Sequence, residues 1–372
     1  MTPLKKTVAF IVLLSALFSL FCGCRGNSDI IKTFTEDGGI PTHIVPLYPE
    51  IPTDTRVAAL LCRYDGTAAR IATAPSPAGD MTVVYENTNG TLTYEIAAGG
   101  GIVAFFELTM FTDGSAGYAL KVVETESGAV HSPFKKTVSA DTVKQTRFLY
   151  VYGGSVYYLT ESASLGRCRI MKYDVRDNKL EEFAAFPFTD NAATGGSSCT
   201  FISGRGGHLT CGAVDGSRTT LITYALDTAE IYREKPLPYA AALVYYADLD
   251  PMTGLYALYY LSAQGDERIG TITLSEESIS DVVTLDENAY VNREEVRISG
   301  DRLVWSVQDT TKQDDPYRSF RSFSAGVTGG AKNEIDGCFE ILDAGGASYK
   351  LCFDKKSGYG KIHLSYIDLD KE

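Results

Sequence analysis

The sequence predicts an all-β chain built from repeated four-stranded units, and three observations carry that reading. A Gly-containing tight turn followed by an alternating apolar strand recurs six times, at steps of 52, 52, 48, 46 and 47 residues. Glycine (35 residues) and tyrosine (23) are both abundant in a chain of 372. Glycine supplies the positive φ of tight turns, and aromatic rings fit a pleated surface. No segment of the body shows the 3.6-residue apolar period of a long amphipathic helix. The apolar content of 44% and charged content of 22% are those of an ordinary globular chain, which argues against a disordered or multi-span membrane protein. A formal charge of −13 disfavours nucleic acid as a partner.

Taken in order, the chain opens with Lys5 and Lys6, followed by an uncharged apolar run from Thr7 to Phe21. That run is 15 residues long, short of the ~20 a spanning helix needs, and the layout is that of a secretory signal. It ends in Leu20-Phe21-Cys22-Gly23-Cys24. This ending resembles a bacterial lipoprotein signal. Gly23 and Cys24 match, Cys22 is small enough for its place, and Phe21 stands where leucine is usual. The resemblance implies cleavage before Cys24 and palmitate-type acylation of Cys24. Ordinary cleavage and an uncleaved anchor are the alternatives. Residues 1–23 would then be signal, 24–40 a tether with a closing strand, and 41–372 one domain. Losing two lysines and no acid leaves a mature charge of −15. Two acyl chains hold stably, at ~0.8 kcal/mol per buried CH₂.

The repeated turns and strands are Gly99–Phe106, Gly153–Leu159, Gly204–Cys211, Thr253–Tyr260, Ser299–Trp305 and Gly345–Cys352. A further strand follows in most copies: Tyr118–Val123, Arg169–Tyr173, Thr219–Tyr224, Ile269–Leu274 and Lys361–Ile367. A weaker copy comprises Val57–Arg63, Ala69–Thr73 and Met81–Glu86. Short strands and turns at a period of ~40–50 residues are the mark of a β-propeller, in which each sheet buries its faces against its neighbours around an axis. The strand count supports seven four-stranded blades, and the arithmetic of length leaves six open. Ile30–Thr35 and His43–Tyr48 are apolar enough to fill the two missing strands. The N-terminus would then pair with the C-terminal blade and close the ring, removing exposed edges. A pair of β-sandwich domains is the rival, but rarely holds one step through six copies.

Signal and period together resemble the bacterial extracytoplasmic β-propeller lipoproteins, across nearly the whole mature chain. Asp250-Pro251-Met252-Thr253-Gly254 also resembles the Pro-Asp-Gly turn of Tol-type propellers, and reads equally as an ordinary β-turn.

Six cysteines remain in the body, and two pairs flank hairpin turns: Cys199 with Cys211, and Cys338 with Cys352. Members of each pair are nearly equidistant from their turn, so each should meet across two strands. Disulfides, which export permits, and buried thiols are both open. No cysteine or histidine spacing suits a metal, and no cofactor motif occurs. His208 lies inside a strand and reads as structural before catalytic. The pairs Asp248/Asp250 and Glu294/Glu295 read as solvated charge.

Propellers bind at the end where loops join the second strand to the third. The longest such loop here is Gln308–Ser319, whose Asp309, Asp314, Asp315, Tyr317 and Arg318 form the candidate ligand contact. No nucleophile elbow or metalloprotease motif is present, so enzymatic activity stays undecided with the balance against it. The expected function is a lipid-anchored scaffold on the outer surface of a membrane, binding a protein, peptide or glycan. The alternative is a surface hydrolase or lyase using carboxylates in the funnel.

Overall fold

The strands predicted from the repeat are present and form successive antiparallel sheets. The fold, taken from a computed structural model, is described for residues 40–367. Excepted are residues 52, 63–68, 77–79, 88–90, 114, 140–145, 163–166, 188–197, 217, 239–240, 287–288, 292–295, 310, 312–319, 336–337, 345–346 and 354–361. The first sheet contains β1 (Ile40–Pro46), β2 (Val57–Cys62), β3 (Ala69–Ala74) and β4 (Thr82–Glu86). The second contains β5 (Thr91–Gly99), β6 (Ile102–Met110), β7 (Ser115–Glu124) and β8 (Val130–Ser139). The third contains β9 (Thr146–Tyr152), β10 (Ser155–Ser162), β11 (Arg167–Asp174) and β12 (Lys179–Pro187). The fourth contains β13 (Cys199–Arg205), β14 (His208–Asp215), β15 (Arg218–Ala225) and β16 (Glu230–Pro236). The fifth contains β17 (Ala241–Asp250), β18 (Leu255–Ser262), β19 (Glu267–Thr273) and β20 (Ser280–Thr284).

The sixth sheet is irregular. Its inner strand is split into β21 (Ala289–Val291) and β22 (Arg297–Ser299), which pair with opposite ends of β23 (Arg302–Asp309). Beyond β23 come β24 (Phe320–Gly326) and a three-residue outer strand, β25 (Asn333–Ile335). The last sheet has only three strands: β26 (Cys338–Ala344), β27 (Ala347–Phe353) and β28 (Ile362–Ile367).

The expectation of seven four-stranded blades is corrected: among the described residues six sheets have four or more strands, and the last has three. The pairing expected to close the ring is likewise not among the described strands. His43–Tyr48 falls largely in β1, which pairs with β2 inside the first sheet. Ile30–Thr35 lies outside the described residues. The inner strands β1, β5, β9, β13, β17 and β22 lie side by side in turn, and β26 lies against β1.

Burial follows from this stacking. A second strand with a sheet on either side is apolar on both faces; Val103, Ala104, Phe105 and Phe106 of β6 are all 0% exposed. The outer strands β4 and β12 hold only exposed and half-buried residues. The hairpins at one end are tight. Gly206 and Gly207 turn with φ of 54° and 77°, and a Cβ at Gly207 would lie 2.7 Å from the Tyr152 hydroxyl. Both central residues of a type I′ turn need positive φ, hence the glycines.

Bulges recur with the repeat. Outer strands carry an extra residue at Val84, at Ser132–Pro133, and at Phe183, Tyr232 and Val282. Inner strands bulge at Thr42, Glu95, Phe148 and Phe339, among others. Glu95 and Phe148 sit there with φ of 49° and 58°. A bulge adds local twist and interrupts pairing.

Much of the tyrosine content is buried between sheets. Burial pushes the Tyr157 phenol up to about 12 and also raises Tyr150, Tyr158 and Tyr224. Burial, then the partner Glu107, raises Tyr85, whose hydroxyl donates to Glu107 Oε1 at 2.6 Å. The unfolded chain releases these protons near pH 10 while the folded chain keeps them. Stability should therefore be complete below pH 10 and fall as pH climbs through 12. Phenolate absorbance should rise together with loss of the β circular dichroism signal. Full titration near pH 10 with structure intact would contradict the buried placement.

Candidate functional site

The irregular sixth sheet carries a cavity of about 270 Å³ between itself and the end of the fifth sheet. Strand periodicity explains its lining. Trp305, Val307 and Asp309 occupy alternate positions of β23 and so share a face. In register on β24, Phe323 lies opposite Trp305 and Arg321 opposite Val307. The facing wall is the end of β20 and the link after it, with Thr284, Leu285 and Asp286.

The floor is aromatic. Trp305, 1% exposed, stacks on Phe323 with ring centroids 5.7 Å apart. Two cations lie over the Phe323 ring, the Arg321 guanidinium at 4.9 Å and the Lys332 ammonium at 4.4 Å from its centre. Arg321 is held by a two-pronged ion pair to Glu334, at 2.8 and 2.5 Å. Hydrogen bonding to Glu334 raises its pKa, and the nearby charges of Asp309 and Asp286 add to the effect. Asp309 is fixed by its own loop, since Oδ1 accepts from Thr311 N at 3.0 Å and from Thr311 Oγ1 at 2.5 Å. The cavity thus has a flat apolar base with charges of both signs around it.

Of the ligand residues expected from sequence, Asp309 lines this cavity. Asp314, Asp315, Tyr317 and Arg318 lie outside the described residues. The sequence reading missed Asp286, Arg321, Lys332 and the aromatic floor. A signal did exist for part of it: Trp305 is the sole tryptophan and shares parity with Asp309.

The other expected residues are scattered. Cys199 and Cys211 are buried thiols, as is Cys168, so of the two readings left open the pair follows the second. The turn falls at Gly206–Gly207, later than anticipated, and a bulge follows Cys199. Cys199 therefore faces Ala213, and Cys211 faces Ile202. Cys338 does face Cys352 in register. His208 sits at the tight-turn end, its Nδ1 3.0 Å from the Gly206 carbonyl and its ring 4.5 Å from that of Tyr232. It is therefore away from the loop-bearing end. Glu294 and Glu295 lie outside the described residues.

Asp248 departs from the solvated charge expected of it. It is 6% exposed and forms an ion pair with Arg205 at 3.0 Å. Its Oδ2 also accepts from the Ile298 N–H at 2.9 Å, while Arg205 Nη1 donates to the Ile298 carbonyl at 2.6 Å. Both backbone groups of Ile298 are thereby satisfied on the inner side of β22. The clamp ties the fourth, fifth and sixth sheets together and fixes the half-strand beneath the cavity.

Comparison with known proteins agrees on architecture. The chain is similar to a structure from a study of two prolyl endopeptidases, with 12% identity and a TM-score of 0.51, covering 99% of this chain and 56% of that one. It is also similar to the β-propeller domain of the Trilobed protease from Pyrococcus furiosus, at 10% identity and a TM-score of 0.45, covering 75% and 81%. TolB from Acinetobacter baumannii matches at 14% identity and a TM-score of 0.41, covering 76% and 67%. No family model matches the chain, and no curated protein matches it in sequence. Such low identities speak to fold alone: the chain is a β-propeller.

Proposed function

We propose that this chain is a lipid-anchored extracytoplasmic β-propeller that binds its ligand in the cleft between the fifth and sixth sheets. The observation that carries the reading is where the repeat breaks down. One blade has an inner strand in two pieces, a three-residue outer strand and the longest link between a second and a third strand, and there an aromatic floor is ringed by charges of both signs. In repeat architectures, departures from the repeat concentrate on the binding face. A 270 Å³ cavity suits one residue or ring of a ligand. Titration calorimetry of peptides, oligosaccharides and their monomers against the protein tests this, with binding expected to vanish in Thr311→Trp, which fills the rim. A second reading, a glycan- or peptide-active hydrolase, is favoured by Asp286 and Asp309 sharing the cleft. Turnover lost in Asp309→Asn would select it.

The anchor rests on the signal-like N-terminus and Cys24. Residue Ile40 begins β1 at the end where β2 leads to β3, the end that also bears the cleft. Fifteen residues separate Cys24 from Ile40 and reach at most about 50 Å. Fed a palmitate analogue, cells should label the wild-type chain and leave Cys24→Ser unlabelled and detergent-free. Equal labelling would refute the anchor.

Ring closure belongs to the same reading. Three of the six outer-to-inner links run across four residues, at 87–90, 237–240 and 285–288. Four residues, 36–39, also separate Thr35 from Ile40. Ile30–Thr35 is thereby spaced to supply the outer strand of the last sheet, beside β28. Deleting residues 28–37 should lower the melting temperature by several degrees; an unchanged melt would remove the strand from the fold.

A further inference from the structure

We infer that the cleft takes a zwitterionic ligand, an amino acid or short peptide with both termini free, an inference that rests on the cleft being the binding site. Four charged groups line it, and the side chains of two are held by hydrogen bonds: Arg321 to Glu334, and Asp309 to Thr311. The remaining two are opposite in sign. Asp286 projects from the fifth-sheet wall, and Lys332 lies over Phe323 on the sixth-sheet wall. Neither forms an ion pair with any described residue. Two opposite charges lining one cavity, and not bonded to each other, leave a gap that a ligand of reversed polarity fits. An ammonium would face Asp286 with Asp309 behind it, and a carboxylate would face Lys332.

The floor between them selects the body of the ligand. Leu285, Ala289 and Val307 add apolar lining, against which an aliphatic or aromatic side chain loses less hydration than a sugar hydroxyl array. A ligand with a single charge would leave one wall unpaired. A neutral one would leave both, so discrimination comes from groups the wrong ligand fails to satisfy. Asp286 and Lys332 are both exposed, so their attraction is screened and affinity should fall as salt rises.

Trp305 is the only tryptophan, so its emission reports on this cleft alone. The full chain in non-ionic detergent would be titrated with leucine, phenylalanine and Leu-Phe, each free or with blocked termini, and with glucose. Free zwitterions should change Trp305 emission and bind at least tenfold more tightly than blocked forms. Asp286→Asn and Lys332→Met should each cost most of that preference while leaving the melting temperature unchanged. Emission changes of equal strength with blocked peptides or glucose would overturn the ligand class and leave the cleft as the site. Calorimetric binding with silent Trp305 emission would overturn the cleft itself, and no response to any probe would overturn the zwitterion.

Discussion

Replacing Trp305 with alanine should lower the stability of the fold by about 3–5 kcal/mol, the usual cost of deleting a large aromatic from a core. The indole is 1% exposed and stacks on Phe323. It packs in one cluster with Tyr259, Val291, Ile298 and Leu303, so its loss opens space between the fifth and sixth sheets. The cavity already beside it means the hole would merge with the cleft instead of collapsing. Ligand binding should disappear together with stability. Trp305→Phe keeps the stack and should cost less than half as much. The denaturant midpoint measures both, and a loss below about 1 kcal/mol for alanine would show that the indole is not packed as described.

Arg205→Ala has the second largest expected effect, near 3 kcal/mol. The Arg205 side chain is 37% exposed, so little burial is lost. What matters is what remains: a buried Asp248 carboxylate without its cation and an Ile298 carbonyl without its donor. Removing one member of such a pair typically costs 3–5 kcal/mol, and water reaching the Arg205 side should place this case at the lower end. Asp248→Asn should cost somewhat less, because an amide can still accept from the Ile298 N–H. The double variant should be distinctly less destabilised than the two single losses added together, since each removes the same interaction. Additive losses of a few tenths of a kcal/mol would place the pair with ordinary surface salt bridges.

Which parts of this were legible in the sequence follows from what each depends on. Second and third strands depend on local alternation and on glycine turns. Gly153–Leu159 and Arg169–Tyr173 accordingly appear as parts of β10 and β11. Cross-strand partners depend on register, which a single bulge shifts. The bulge in β26 brings Cys338 opposite Cys352, whereas the turn position and bulge in β13 separate Cys199 from Cys211. Loop length marked Asp309 as a ligand residue, but Arg321 and Phe323 join it only through the pairing of β23 with β24, and Asp286 through the packing of a neighbouring sheet. Asp248 was read as solvated because nothing in its surroundings reveals that Arg205, 43 residues earlier, reaches it.

The bulged outer strands bear on how these molecules coexist. Every β-sheet disc ends in a rim of free amide and carbonyl groups, and a rim of that kind can recruit another molecule's rim into a continuous ladder. In four of the seven described sheets the outer strand is broken near its middle, at Val84, Phe183, Tyr232 and Val282. On these four strands at most four residues of regular pairing remain on either side of the break. Where those four rims meet a neighbour's at high density, the break keeps the two sheets from extending one another, and the copies stay separately folded.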